Sequence, residues 1–208
     1  MLQGALIGLI VGGVMAYLTW QKNKKRGASV LLAYASGGRE AGLRALNNET
    51  PAMPGLKANH IVPQQERMAA LAIIGETDCI MQEMKLHRGK LNLTAQVHGI
   101  ALLGARVRGV KEASGQLNQL ATQMEQEGGA LMGAVKTKLR TFANLAAALD
   151  DTPLPPESGA AAHRLTASES PMARLVVMAA LAKATERFGG DARILREKIR
   201  ESTKAFDN

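Results

Sequence analysis

Apolar residues follow two patterns along this chain, one unbroken and one periodic. The unbroken run covers residues 2–20 and contains no Asp, Glu, Lys, Arg or His. A helix rises about 1.5 Å per residue, so a run of this length approaches the ~30 Å hydrocarbon core of a bilayer. The sequence therefore predicts a single N-terminal transmembrane helix.

The residues at the end of this run indicate how the helix is oriented. Tyr17 and Trp20 stand where amphipathic rings favour the headgroup level, and a basic group follows: Lys22, Lys24, Lys25 and Arg26. Because basic flanks stay in the cytoplasm, we expect a single-pass protein of a bacterial-type inner membrane, with everything after residue 26 cytoplasmic. The main alternative is a cleaved signal peptide, which would place its positive charges before a shorter apolar run.

Small residues recur every four positions within the predicted anchor. They form one stripe on the helix: Gly4, Gly8, Gly12 and Ala16. Such stripes allow two membrane helices to approach closely and to pack through van der Waals contacts. We therefore expect self-association or docking to another membrane helix, although glycine is also common in membrane helices that do not associate.

The periodic pattern begins after a turn-rich stretch. The helix after the anchor is expected to break at Gly37 and Gly38, and residues 47–65, with three prolines, are interpreted as an extended connector. Apolar residues at steps of three and four then predict a helix over 64–87 and a very long amphipathic helix over 93–145.

Part of the long helix matches the heptad spacing of a helix-helix seam. The residues that define this seam are Val110, Leu117, Leu120 and Met124. The match degrades at Gly128 and Gly129, which favours a bundle, or a hairpin broken at these glycines, over an extended dimeric coiled coil.

The remaining chain contains a second proline-rich stretch and a helical tail. A helix is expected to begin near Pro171, capped by Ser168 or Ser170, and to end at Gly189–Gly190, with Asp191 capping a short last helix. The predicted segments are an anchor with its basic flank (1–26), a juxtamembrane linker (27–63), a long-helix domain (64–149), a proline-rich linker (150–163) and a C-terminal helical hairpin (164–208).

Composition supports an all-α fold and narrows the range of partners. Aromatic residues are only 3% of the chain, and residues that favour helices dominate. The net charge is +8, of which four charges belong to the cluster after the anchor. Because basic residues are not interleaved with stacking aromatics, the sequence argues against a nucleic-acid partner.

Motifs for catalysis or for cofactors are absent from the sequence. It contains no GxxxxGK[ST] loop, GxSxG turn, HExxH pair or CxxC pair. The four histidines are scattered, and Cys79, Glu76 and Asp78 are weak candidates for chemistry because they lie in an ordinary helical pattern. We expect no enzyme, no cofactor, no metal and no small-molecule substrate.

The leading hypothesis is therefore a membrane-anchored scaffolding subunit of a bacterial-type inner-membrane complex. Its expected partners are membrane lipids and either other subunits of the complex or further copies of the chain. The alternative is a channel-forming or virion-type subunit that assembles through its glycine stripe for export or genome delivery.

Overall fold

The chain folds entirely as α-helices over the residues that the structure describes. This computed structural model describes the backbone of residues 2–204 and the side chains of residues 25, 27–130 and 132–203. The all-α prediction is confirmed, since no β-strand occurs in this part of the chain. The helices are α1 (Leu2–Glu49), α2 (Ile61–Ile74), α3 (Thr77–Leu86), α4 (Leu91–Val107), α5 (Glu112–Glu127), α6 (Gly133–Ala148), α7 (Pro156–Ser168), α8 (Pro171–Arg187) and α9 (Arg193–Lys204).

Helix α1 is bent back on itself into a hairpin. Gly38 has φ 68° and ψ −159°, a backbone conformation that is open essentially only to glycine. The Ser29 hydroxyl donates to Glu49 Oε1 at 3.3 Å, whereas a straight helix would separate residues twenty apart by about 30 Å. The predicted break at this glycine pair is therefore confirmed. The first arm precedes Gly38, and the second arm follows it.

Helices α2, α4, α6 and α8 run in one direction, and the intervening helices return. The amide of Gln65 in α2 donates to the Gln96 carbonyl of α4 at 3.0 Å, and further along both helices Gly104 packs against Ala72. Helix α8 follows the same course, because Lys183 near its end donates to the carbonyl of Val107 at the end of α4.

Helices α4 and α6 are parallel neighbours with an offset of about forty residues. The contacts that define this offset are Asn92 with Met132, Gly99 with Leu139, and Arg106 with the Leu149 carbonyl. Glycine at position 99 permits the close approach, since a Cβ there would lie 2.6 Å from Leu139 Cδ2. Helix α5 connects the two by running back along both.

This arrangement gives the bundle two distinct ends. Gly27, Thr50, Pro63 and Met172 line one small pocket, so α1 enters the bundle where α2 and α8 begin. We call this the Gly27 end. The opposite end contains the turn at Gly109, which has φ 102°, and the last residues of α2, α4, α6 and α8.

All of the helices α1–α9 contribute to a single apolar core. It extends from Val30 in α1 to Leu195 in α9, and its side chains are mostly Leu, Ala, Met, Val and Ile. Phe142 of α6 is fully buried and is the largest of them. The predicted C-terminal hairpin therefore packs on the central helices, since α8 contacts α2, α4 and α6.

Two predicted helices are each divided, and the sequence prediction of their length is wrong. The helix expected over 64–87 breaks at Gly75, whose φ of 88° ends α2 in the left-handed conformation. The very long helix expected over 93–145 breaks at Gly128–Gly129, as the hairpin alternative anticipated, but also at Gly109.

The predicted linkers are also more ordered than expected. Residues 47–65 are not an extended connector, because α1 continues to Glu49, α2 begins at Ile61, and Leu56 between them is buried. Within the second predicted linker, α7 already begins at Pro156. The starts of the last two helices agree with prediction, since α8 begins at Pro171 and the Asp191 carboxylate accepts the Arg193 amide at 2.9 Å.

No helix within the described part of the chain combines the length and the apolar character needed to cross a membrane. The predicted anchor over 2–20 falls on the part of α1 whose side chains lie outside the described residues. The same holds for the small-residue stripe and for most of the interface anchors, namely Gly4, Gly8, Gly12, Ala16, Tyr17, Trp20, Lys22, Lys24 and Arg26. Lys25 is described and is exposed.

Candidate functional site

A buried arginine holds three helices together near the Gly27 end. Arg67 of α2 forms a bidentate ion pair with Glu83 of α3, at 2.8 Å from Nε and 2.5 Å from Nη2. Its Nη1 donates to the Thr50 carbonyl at 2.7 Å, and Nη2 also donates to Asn47 Oδ1 at 2.9 Å. Because both ions of the pair are largely buried, this network fixes the second arm of α1 against α2 and α3.

The carboxylate of Glu66 caps helix α8 from a different helix. Oε1 accepts the Met172 amide at 3.0 Å and the Ala173 amide at 3.3 Å, which are free donors of the first turn. Ser170, the predicted capping residue, makes no cap hydrogen bond with its side chain. Burial raises the pKa of Glu66 to about 7, although the Ser170 hydroxyl and the two amide donors favour its ionised form.

Two loops are joined side by side at the Gly27 end. The Leu56 amide donates to the Arg88 carbonyl at 2.7 Å, and the Arg88 amide donates to the Pro54 carbonyl at 2.5 Å. We call residues 50–57 and 87–90 the paired loops. Gln64 ties the first of them to α2, because its side-chain amide donates to the Pro51 carbonyl at 2.9 Å.

The paired loops and their flanks expose basic and apolar side chains. The exposed cations are Lys57, Lys85, Arg88 and Lys90. Leu86, the last residue of α3, is 56% exposed, and Val62 in the first turn of α2 is 39% exposed. No Asp or Glu occurs in residues 50–65 or 84–111, so the loops carry only positive charge.

The carboxylates nearest to the paired loops have partners of their own. Glu83 pairs with Arg67, Glu66 caps α8, and Glu169 pairs with Lys138 at 2.6 Å. Glu49 accepts the Ser29 hydroxyl on the side of the α1 hairpin. These groups therefore do not neutralise the paired loops. One exposed carboxylate, Glu127 at the end of α5, also lies at this end, since it lines a pocket with Leu91 and Asn92, the residues that follow Lys90. Its side chain accepts the Gln123 amide at 3.2 Å, and the four exposed cations outnumber it.

Two histidines meet beneath the paired loops. His87 Nδ1 lies 3.2 Å from His98 Nε2, and the rings stack with centroids 5.3 Å apart. Burial lowers the pKa of both, that of His98 to about 4, with a further contribution from the neighbouring ring. His87 Nε2 is buried without a partner. The pair is therefore neutral at physiological pH and packs as part of the core boundary.

Cys79 is half-buried beside a carboxylate. Its Sγ donates weakly to Glu76 Oε2 at 3.7 Å, and burial, together with that carboxylate, raises the pKa of the thiol. Glu76 itself pairs with Arg39 at the tip of the α1 hairpin. Among the described residues, no group of three or more His, Cys, Asp and Glu side chains could hold a metal ion.

A cleft of about 450 Å³ lies at the opposite end of the bundle. Three of the four cations that line it have partners in the chain, and the fourth, Arg108, packs its guanidinium against Gly75. Lys183 donates to the Val107 carbonyl, Arg106 donates to the Leu149 carbonyl and pairs with Asp150, and Arg187 pairs with Asp151. Lys183 and Arg106 satisfy the carbonyl ends of α4 and α6, which explains their presence here without a ligand.

The predicted heptad residues lie on the inward side of α5 and in the turn before it. Leu117 and Met124 are fully buried, and Val110 and Leu120 are half-buried against the core. Helix α5 packs on α4 and α6 of the same chain. The seam is therefore used within the chain.

No protein family, curated protein or solved structure matches this chain. The site must be interpreted from its own geometry. Sequence reasoning did not find Glu66, Arg67 or the paired loops, although the two long stretches without a carboxylate were a signal for the loops.

Proposed function

We propose that this chain is a membrane-anchored structural subunit, held by residues 2–20 in a bacterial-type inner membrane, with its helical bundle on the cytoplasmic side. It acts through helix-helix contacts and not through catalysis. The partners would be membrane lipids and, through the stripe of Gly4, Gly8, Gly12 and Ala16, another membrane helix or a second copy of the chain.

The observation that supports this proposal is the role of α1 in the bundle. The first arm of α1 continues from the proposed anchor into the core without an intervening linker, and Val30 on this arm is 1% exposed. Val30 and Leu46 pack together with Ala70 of α2 and Met172 of α8. A rigid connection of this kind suits a subunit that holds a fixed position at the membrane, whereas a tethered enzyme needs only a flexible linker.

The polar groups buried in the bundle support the same conclusion. Glu66 caps a helix, Arg67 joins three helices, and Cys79 carries a thiol whose pKa is raised. Glu66 and Arg67 are engaged in holding the fold, and the one thiol that lies beside a carboxylate, Cys79 next to Glu76, has a raised pKa, which disfavours the reactive thiolate.

Fractionation and isolation of the full-length chain test the proposal. We expect the chain to remain in membranes after an alkaline carbonate wash and to be isolated in mild detergent as an oligomer or with defined partner proteins. Release by the wash, or isolation as a lone monomer, would contradict it. Conductance across reconstituted bilayers would instead support the channel-forming or virion-type alternative.

Two variants within the glycine stripe and one control beside it test the role of the stripe. Gly8→Leu and Gly12→Leu should weaken the association, because larger side chains keep the helices apart. Gly13→Leu is the control, since position 13 lies about 100° around the helix from position 12. Equal association of all three variants would remove the stripe from the proposal.

A further inference from the structure

The paired loops lie at the end of the bundle from which the proposed anchor leaves. Gly27 lines the same pocket as Thr50, the first residue of the paired loops. The first arm runs away from this end, because Arg39 beyond its tip pairs with Glu76 at the far end of α2. Gly27 follows Trp20 by only seven positions, which is about 10 Å of helix.

This position would bring the exposed cations close to a bilayer surface. Lys57, Lys85, Arg88 and Lys90 would then join the basic cluster that follows the anchor, Lys22, Lys24, Lys25 and Arg26. Cytoplasmic leaflets carry negative charge, and each Lys or Arg near such a surface is attracted within a Debye length of roughly 8–10 Å.

We infer that the paired loops dock on the headgroups of anionic phospholipids in the membrane that holds the anchor. Leu86 and Val62, which are exposed beside the cations, would enter the boundary between headgroups and acyl chains. The inference rests on the proposed anchor and adds a second, electrostatic attachment to it. The bundle would then be fixed in its tilt as well as in its depth.

The alternative anionic partner, a nucleic acid, is less well matched by these loops. Residues 50–65 and 84–91 contain no Phe, Tyr or Trp on which a base could stack. The loops are short and joined to each other by backbone hydrogen bonds, and the exposed cations lie on these loops and beside them instead of along one helix that could enter a groove.

A fluorescent label at Leu86 reports the docking directly. The full-length chain is prepared with the substitutions Cys79→Ala and Leu86→Cys. An environment-sensitive dye is attached to the new thiol, and the labelled chain is reconstituted in bilayers. We expect a blue shift in bilayers of phosphatidylcholine with about one third phosphatidylglycerol, compared with phosphatidylcholine alone. High salt should reverse the shift without releasing the chain. The control carries the same dye on Ile194→Cys instead of Leu86→Cys. Ile194 is 69% exposed in α9, and its label should show no shift between the two bilayers.

Two charge variants separate a local effect from the net charge of the chain. K57Q/K85Q/K90Q should lower the docking equilibrium by roughly a hundredfold, because each removed cation contributes about a factor of five. This triple variant keeps Arg88, because its guanidinium donates to the Lys85 and His87 carbonyls and its removal would also change the fold of the loop. K111Q/K198Q/R200Q removes the same charge from exposed positions outside the paired loops and should retain the shift.

The outcomes distinguish this inference from the proposed function. A chain that resists carbonate extraction but gives the same Leu86 signal in both bilayers overturns the docking alone. A chain that fails to enter either bilayer overturns the anchor, and the docking with it. Loss of the shift in both triple variants also overturns the inference, because it would reflect total charge. Protection of the Leu86 label by duplex DNA, without a response to anionic lipid, would assign the loops to nucleic acid.

Discussion

Glu66 of α2 and Met172 of α8 are 106 residues apart, yet the carboxylate oxygen Oε1 accepts the Met172 amide at 3.0 Å. The acid lies at the positive end of a helix, which favours its ionised form, but it is also buried, which disfavours that form. Burial is the larger effect and raises the pKa to about 7. The bundle therefore contains a carboxyl group that titrates near neutral pH.

The pH dependence of stability should contain two opposed contributions. Glu66 has a raised pKa in the fold, so its contribution is present below pH 4.5 and is lost as the pH rises to about 7. His98 has a lowered pKa, so its contribution is present above pH 6.5 and is lost as the pH falls to about 4. Each contribution amounts to about 3 kcal/mol, and their opposite pH slopes offset one another over much of pH 4.5–6.5.

Single variants should reveal each contribution. In Glu66→Gln, the free energy of unfolding should rise with pH across pH 4.5–6.5, because both histidines have a lowered pKa and still titrate. In His98→Gln, the slope over the same range should be lower than in Glu66→Gln, because Glu66 opposes the remaining His87. Chemical denaturation of the full-length chain in detergent at several pH values measures both slopes. If the two variants have the same slope, the assignment of these groups is wrong.

Gly104 should be the least replaceable helical glycine in α4. A Cβ at this position would lie 2.5 Å from Ala72 Cβ, which cannot move without its backbone, so Gly104→Ala should destabilise the chain by about 1–3 kcal/mol. At Gly99 the clash is with the mobile end of Leu139, and we expect a smaller loss. Gly115→Ala is the control. That glycine is exposed in α5 with no neighbour within 4 Å, and its replacement should stabilise the chain by about 0.5–1 kcal/mol.

Arg67 should contribute much more to stability than an exposed arginine in an ion pair. Arg67→Met leaves Glu83 without its partner in a largely buried site, and we expect a loss of about 3–5 kcal/mol. Arg140→Met breaks the exposed pair with Glu125 and should cost less than about 1 kcal/mol. Urea denaturation compares the two, and R67M/E83Q should recover part of the loss. Equal effects of Arg67→Met and Arg140→Met would contradict the importance of the network.

Gly38 should be required for the α1 hairpin. An alanine at φ 68° and ψ −159° is strained, so Gly38→Ala should lower stability by about 1–3 kcal/mol even though no atom lies within 4 Å of the added methyl group. Gly129→Ala tests the same methyl group at φ −57°, where we expect little change. Thermal unfolding should separate the two by roughly 2–10 °C.

The sequence pattern was sufficient for the helices whose ends are marked locally. Pro171 begins α8 because proline suits the first turn, and the glycine pair 189–190 ends it. Gly75 and Gly109 were missed, because an isolated glycine is tolerated inside a helix. The left-handed conformation at Gly75 is accompanied by a tertiary contact, since the Arg108 guanidinium packs directly against it.

The features of the candidate site depended on tertiary contacts that local patterns do not contain. Ser170 directly precedes α8 and has the sequence features of a helix cap, but the side chain that caps α8 is Glu66, more than a hundred residues earlier. Similarly, the stretches 50–65 and 84–111 are visibly free of carboxylates, but their meeting at one end depends on the hydrogen bonds between residues 54–56 and Arg88.

The pocket shared by Gly27 and Met172 has a consequence for synthesis of the chain. The two residues are 145 positions apart, so at ~5–20 residues per second the first arm of α1 waits roughly 7–30 s on the ribosome before α8 can cover it. During that time Val30, Leu46 and Ala70 lack one side of their packing. The nascent chain therefore offers an apolar surface to chaperones until α8 has been translated.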